Sequence, residues 1–565
     1  MVMKKAYKLL SRNRKKVWFS AALNMLFLLL LLVVTRPYFE TNDDITLASF
    51  LNLGRPVQDP WTDNANYLFG LVIAFCYRVT AQLPWYTLFL YGTTFISLTL
   101  VTWSLMRMYD GWPALMLSGI LMTYFGYECY IAVNFTKVAG CAAGAGMFLI
   151  LISVREEKII KPGILIGSLL LLMGYMIRPK EGIAACASLA AAALYLLLCI
   201  PQLEKGKRLK RFGCYLMSIL PAAILVLGAT AIDRHALHSS PGRMAYKEYT
   251  DVRTRIMDHG FPSYTENHEA FDAMDINENA WQLYRSWNFY DTEKFPVGVM
   301  KQVEALQPQK HFSADTVRNF LKQYPDKFFE NRIFLVYLFV MVLLILYGRL
   351  SLKKIIAVLF NLMTMAALFL YMFYDGRYGL RRVDVGIWWG SILCLMVLLE
   401  KGRLHLDYKA AISLLMFGLI LEQSVWNPHY RRQTAGERQR QTDMQNSVSM
   451  LSSDTSHLYI CTAGSYYPTK AYAPLDRIPV GAYSNIITMG GWSAESIPFR
   501  SVYQNYGITN PYRDMINNET VRLVTNNPDQ VVQYLHDYYD SECHAEAVRK
   551  VGQYTVFKIV DSYTG

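Results

Sequence analysis

The chain reads as a polytopic α-helical membrane protein of about 11–13 spans that ends in an extracytoplasmic α/β domain. Three observations predict this. Hydrophobic residues make up 53% of the chain and charged residues only 18%. The apolar residues gather in blocks such as 17–35, 212–231, 333–347 and 355–374 that are apolar all round, whereas a soluble core helix is apolar along one stripe. From residue 426 the pattern changes. Short alternating segments at 457–462, 521–525 and 554–560 interleave with helical stretches such as 528–538.

A helix of about 17–25 apolar residues crosses the hydrocarbon core with every backbone polar group paired internally. Twelve segments qualify as candidates: 17–35, 66–81, 86–106, 113–132, 137–154, 163–177, 183–201, 212–232, 331–348, 355–374, 383–400 and 409–425. The first block runs into Thr35-Arg36-Pro37 rather than a small-residue cleavage site, so it reads as a retained anchor. Trp85, Trp112, Trp388, Trp389 and Trp426 lie near block ends, as residues of an interfacial aromatic belt would.

A net charge of +12 on a soluble protein would point to nucleic acid. Here the excess sits in short segments beside apolar blocks, and no nucleic-acid module appears. The segments are Lys4, Lys5, Lys8, Arg12, Arg14, Lys15 and Lys16; Lys205, Lys207, Arg208, Lys210 and Arg211; and Arg349, Lys353 and Lys354. Positive residues favour the cytoplasmic side. That places 1–16, 204–211, 349–354 and 401–408 inside, and 36–65, 233–330, 375–382 and the tail outside. Twelve spans cannot satisfy both ends. Either 66–81, short and carrying Arg78, is not a full crossing, or 113–132 is a broken pair. The expected division is a membrane module, 1–425, and a domain, 426–565.

Seven of the nine cysteines lie in or beside apolar blocks and read as small core residues. Cys461 and Cys543, in the tail, form a candidate pair. No CxxC or zinc spacing, Walker A, HExxH, GxSxG or Rossmann fingerprint occurs, which argues against ATP-driven transport within this chain.

Unusual charges collect on the outer side. Thr41-Asn42-Asp43-Asp44 follows the first span. These residues suit a helix N-terminus, and equally a general base acting on a hydroxyl. Arg178, Lys180 and Arg377, with Tyr378, Arg381 and Arg382, lie in outer turns where cations run against the topology bias. They suit lipid headgroups as snorkelling residues, or a phosphate, for which Arg offers a fork and Lys a point charge. Gly376 and Gly379 would let backbone approach an anion. Lys137 heads a span, and Gly140 and Gly144 just beyond it form a GxxxG suited to helix packing.

Together these clusters suit a substrate with a phosphate at the membrane surface beside a sugar or hydroxyl. At this point the chain resembles the GT-C membrane glycosyltransferases, in particular the lipid A aminoarabinose transferase and protein O-mannosyltransferase type. Asp43-Asp44 stands where that type carries an acidic pair in its first outer loop. Residues 98–109 look like the segment after its early hairpin. Gly174-Tyr175-Met176-Ile177-Arg178-Pro179-Lys180-Glu181-Gly182 is similar to its donor-phosphate turn, and Arg377-Tyr378 to its later Arg-Tyr motif. The first pair is Asp-Asp rather than Asp-Glu, and the family's Pro-Pro motif before the second span is missing.

The resemblance implies an inverting glycosyltransferase of the bacterial plasma membrane. Its donor would be a polyprenyl-phosphate sugar and its acceptor an envelope glycan, lipid or protein. Asp43 and Asp44 would be catalytic, with Asp43 the base. Lys137, Arg178, Lys180, Arg377, Tyr378 and Arg381 would bind the phosphate. No cofactor is implied with certainty, and a divalent metal at the acidic pair stays open. Two other classes fit the composition: a transporter or flippase of an anionic envelope lipid, and a non-enzymatic membrane interaction protein working through its tail.

Overall fold

The leucine-rich first block folds as a helix, Val17–Val34, that leaves Leu26, Leu29, Leu30 and Val33 exposed, as a helix bathed in lipid would. The structure, a computed structural model, describes residues 16–109, 111–156, 161–200, 205–308, 311–399, 404, 406–463 and 468–561. Lys4, Lys5, Lys8, Arg12, Arg14 and Lys15 lie outside these residues, as do 204, 401–403 and 405 and the side chains of Lys205, Lys207 and Trp426.

Among the described residues, seven helices are long and apolar enough to cross a membrane: Val17–Val34, Trp85–Met108, Gly111–Ile131, Phe135–Arg155, Pro179–Cys199, Arg208–His238 and Leu352–Tyr374. Four more complete the bundle: Lys161–Ile177, Ile333–Tyr347, Arg381–Leu398 and the first part of Tyr408–Ser452. Gly111–Leu121 passes into π-type turns over Met122–Ile131.

The segment expected as a span at 66–81 does not cross. Its helix, Tyr67–Val79, has 13 residues, about 20 Å against a hydrocarbon core of about 30 Å. Asn66 N donates to Met176 O at 2.9 Å, and Tyr67 N to Asp233 Oδ1 at 2.7 Å. At the far end Arg78 Nε donates to Gln58 Oε1 at 2.8 Å, and the next helix opens with Tyr86 bound to Asp44. Both ends of this short helix therefore lie on one face of the bundle. Without it, eleven helices among the described residues make up the bundle. The opposite face closes consistently, with Tyr109 OH donating to Met396 O at 2.8 Å and Arg155 Nη1 to Val397 O at 2.6 Å.

Phe135–Arg155 is the central helix, buried along nearly its whole length. The GxxxG packs as its pattern predicts. A Cβ on Gly140 would come 2.8 Å from Gly386 Cα, and one on Gly144 2.7 Å from the Trp389 ring. Trp388 and Trp389 are fully buried in this packing, not members of an interfacial belt. Their helix lies against others on all sides, so sequence position near a block end misleads.

A parallel two-stranded pairing of β1 (Tyr38–Phe39) and β2 (Ala132–Val133) ties the first loop to the head of the central helix. The C-terminal sheet contains β3 (Leu458–Cys461), β4 (Ile486–Thr488), β5 (Val521–Thr525), β6 (His544–Val551) and β7 (Tyr554–Val560), in the order β4-β3-β5-β7-β6. β3 runs parallel to β4 and β5, and the β5–β7 and β7–β6 pairs are antiparallel. Cys461 and Cys543 are both free and buried, so the candidate pair does not form.

One 45-residue helix, Tyr408–Ser452, runs from the bundle to the sheet through positions 425 and 426. Helices of the long polar segment, including Pro241–His259 and Glu278–Arg285, share the sheet's core. Tyr249, Ile256, Tyr284 and Phe289 pack with Leu458, Ile460, Leu523 and Ile559. Tyr290 N donates to Met489 O at 2.8 Å, extending the join through the backbone.

Candidate functional site

The first outer acids open a 10-residue helix, Asn42–Leu51, from extended backbone at Thr41. Negative charge is favoured in a first turn, where N–H groups lack partners. Successive residues on a helix point about 100° apart, and the two acids take different surroundings. Asp44 is fully buried. Its Oδ1 accepts from Phe135 N at 2.8 Å and Tyr86 OH at 2.9 Å, and its Oδ2 from Asn134 Nδ2 at 2.9 Å. Burial pushes its carboxyl up to about 8, against the lowering effect of the Tyr86 and Phe135 donors. Asp43 stays partly exposed, its side chain 25% accessible, with Oδ2 3.8 Å from Arg382 Nη2.

Beside them runs an alternation of charge, buried at its centre. Lys137 is wholly inaccessible. Its Nζ lies 2.6 Å from Glu128 Oε2, 2.8 Å from Glu40 Oε2 and 3.1 Å from Ala132 O. Glu128 and Ala132 accept two of the ammonium's N–H groups, and the Glu40 carboxylate meets its charge as an ion pair. The β1–β2 pairing places Glu40, whose N donates to Val133 O at 3.0 Å. Glu128 in turn receives Arg381 through Nε at 2.9 Å and also through Nη2. The series Glu40–Lys137–Glu128–Arg381 is neutral as a whole, as the cost of burying unpaired charge requires.

The other expected phosphate-binding residues divide. Arg178 donates to Glu181 Oε2 at 2.9 Å and Asn64 Oδ1 at 3.2 Å, and its guanidinium lies 4.8 Å over the ring of Phe135. It therefore adjoins the residue whose N–H meets Asp44. Lys180 is exposed in the first turn of Pro179–Ser188. Arg377 instead pairs with Asp258 at 3.1 Å and Asp375 at 3.3 Å. Tyr378 OH donates to Tyr324 O at 3.0 Å, and its ring sits among Phe320, Phe369 and Phe373. These two fasten the polar segment to the bundle through Asp258 and Tyr324. Gly376 and Gly379 take φ of 77° and 76°, which the tight turns on either side of Arg377-Tyr378 need.

Glu40, Glu128 and Tyr86 were not among the residues expected from sequence. Glu128 had a signal: it is the one acid inside the apolar run 113–132, and an ionisable residue within a span marks a working site or a buried pair. Glu40 and Tyr86 carried none, because their roles depend on β1–β2 pairing and on where Trp85–Met108 begins. Among the described residues no group of three or more His, Cys, Asp or Glu is placed to hold a metal ion.

Fold and site together define a multi-pass helical membrane protein with one charged, partly open cluster at the face that also carries the sheet domain. No protein-family model matches the chain, and no curated protein matches it. Two solved structures follow its course. Crystal structures of ArnT from Cupriavidus metallidurans superpose on it in complex with undecaprenyl phosphate (TM-score 0.42, 9% identity, 96% of this chain and 97% of that one) and in the apo state (TM-score 0.42, 10% identity, 94% and 97%).

Proposed function

We propose that this protein is a glycosyltransferase that moves a sugar from a polyprenyl-phosphate donor to an envelope acceptor at the face carrying Asn42–Leu51. Asp43 is the general base. It takes the proton of an acceptor hydroxyl as that oxygen bonds to the anomeric carbon, while the bond from that carbon to the phosphate oxygen breaks. Attack opposite the leaving phosphate inverts the anomeric centre. Arg382, Arg178, Lys180 and the outer edge of Arg381 meet the charge gathering on the departing lipid phosphate. Lys137 acts through Glu128, which holds Arg381, rather than by touching the donor. Asp44 fixes the helix on which Asp43 stands.

The observation that carries this reading is the partly exposed Asp43 carboxylate set 3.8 Å from the Arg382 guanidinium, next to the Lys137–Glu128–Arg381 series, buried at Lys137 and Glu128 and half-buried at Arg381. A carboxylate beside guanidinium groups suits a base next to a phosphate-binding site, and supports the reading. The acidic pair and the 174–182 turn support it through their likeness to GT-C motifs. The test is transfer by the full-length protein in nanodiscs, from a panel of undecaprenyl-phosphate-linked sugars to extracted envelope lipids and glycans. Transfer that Asp43→Asn abolishes supports the proposal. Transfer by Asp43→Asn at the wild-type rate removes Asp43 as the base, and absence of transfer from every donor removes the enzymatic reading.

A further inference from the structure

A 10-residue helix is too short to hold its own place; isolated helices below about 12–15 residues are marginal in water. Asn42–Leu51 is therefore fixed by what grips its ends. Asp44 secures the N-terminal end to the bundle. The C-terminal end is gripped by the sheet domain. Phe50 stacks on Trp492, with ring centroids 5.6 Å apart and planes 23° apart. Tyr246 joins both, lying 6.4 Å from Phe50 and donating from its hydroxyl to Trp492 O at 3.0 Å.

The chain beyond the helix continues the grip through its backbone. Gly481 N donates to Leu53 O at 2.8 Å, and Tyr483 N to Gly54 O at 2.7 Å. Gly54 permits this approach, since a Cβ there would come 3.0 Å from the Tyr483 ring and 2.8 Å from Asn52 Oδ1. Arg55, only 6% exposed, lies 4.2 Å over the ring of Phe499 and 5.7 Å from that of Tyr483. A buried guanidinium over aromatic faces is an anchor set deep in the sheet domain.

We infer that Arg55 and Trp492 are positioning residues for the transfer reaction, and that the sheet domain holds the base-bearing helix in register with the bundle. This rests on the reading of Asp43 as the base. It gives the domain a part in catalysis instead of a separate binding task. A one-ångström displacement of a reacting group costs about 100-fold in rate, so slackening this anchor acts on turnover more than on donor affinity.

The test uses the full-length chain in nanodiscs, as wild type and as Arg55→Ala, Arg55→Lys, Trp492→Ala and the surface control Lys558→Ala. Amide exchange is followed by mass spectrometry at 42–51 and at the strands 458–461 and 521–525. Transfer is followed with the undecaprenyl-phosphate-linked sugars used above. Arg55→Ala and Trp492→Ala are expected to speed exchange at 42–51 about tenfold with the strands unchanged. They are expected to lower kcat about 10–100-fold with donor KM within about twofold. Arg55→Lys keeps a cation over Phe499 and recovers part of both, and Lys558→Ala matches wild type. The inference is overturned if 42–51 exchanges as in wild type, if the strands open as fast as 42–51, or if KM rather than kcat changes. A wild-type chain that transfers no sugar overturns the transferase reading alone, since the exchange measurements decide the anchoring by themselves.

Discussion

Asp44 caps a helix other than its own: its Oδ1 accepts the Phe135 backbone N–H at 2.8 Å, so the acid that opens Asn42–Leu51 also closes the open end of Phe135–Arg155. The adjacent acid is thereby left facing outward. Asp44 is structural and Asp43 partly accessible, a division that the burial of Asp44 imposes on its neighbour.

Replacing Asp44 by Asn puts an amide N–H₂ among groups that already donate. One donor of the three, Phe135 N, Tyr86 or Asn134, then loses its acceptor, at a cost of about 1–3 kcal/mol. The unfolding midpoint of Asp44→Asn in detergent should fall accordingly. The wild type should also show a pH signature. With its folded-state carboxyl raised to about 8, Asp44 contributes stability that is fully present below the unfolded value near 4 and is lost as pH rises through about 8. Midpoints measured from pH 4 to pH 9 should slope downward in the wild type and less steeply in Asp44→Asn. Equal slopes would show that Asp44 is ionised in the fold.

Asp43 makes a 3.8 Å approach to Arg382 in partly exposed surroundings, an ion pair of little consequence for stability. Asp43→Asn is expected to change stability by less than about 0.5 kcal/mol, while lowering kcat about 10²–10⁴-fold, the usual worth of a general base. A variant that loses activity and unfolds together would assign Asp43 to the scaffold.

The buried charge series makes the opposite prediction. Glu128→Gln leaves the Lys137 ammonium and the Arg381 guanidinium facing a neutral amide, with Glu40 still paired to Lys137. Removing one partner of a buried pair costs about 3–5 kcal/mol. Adding Arg381→Gln to Glu128→Gln should recover part of that loss, so the two substitutions should be strongly non-additive in a double-mutant cycle of unfolding free energies. Additive losses would mean the two side chains act independently.

Much of this architecture is legible along the chain because membrane helices are written locally. A run such as 17–35 needs no partner to be recognised, and strands such as Val521–Thr525 and Tyr554–Val560 announce themselves by alternation. Tyr67–Val79 misleads because it is apolar without being long enough, and only its contacts at both ends, Asn66 with Met176 and Arg78 with Gln58, show that it returns to the face it left. The site is legible in its parts. Asp43, Arg178 and Arg381 stand out as charges beside spans, whereas the pairing of Lys137 with Glu40 and Glu128 depends on a parallel contact between residues nearly a hundred positions apart. Local pattern carries no trace of that pairing, nor of the core shared by Tyr249 and Leu458.

That shared core can be tested at Asp291. This carboxylate is fully buried in the polar segment yet bound chiefly by the sheet domain. It accepts from Asn510 Nδ2 at 2.9 Å, Tyr534 OH at 2.8 Å and Tyr539 OH at 2.6 Å, besides the backbone N–H groups of Glu293 and Lys294. Burial, and then the adjoining Asp291, push both phenols well above their usual range, so they remain donors throughout ordinary pH. Asp291→Ala orphans three side-chain donors at about 1–3 kcal/mol each where they stay buried. Asp291→Asn keeps one acceptor oxygen and should lose less. Because the donors and the acceptor belong to segments more than two hundred residues apart, the loss should appear in both. Amide exchange of Asp291→Ala should quicken together in Glu278–Arg285 and in Val521–Thr525, as one cooperative unit. Faster exchange confined to Glu278–Arg285 would mean that the polar segment folds onto a sheet domain able to stand without it.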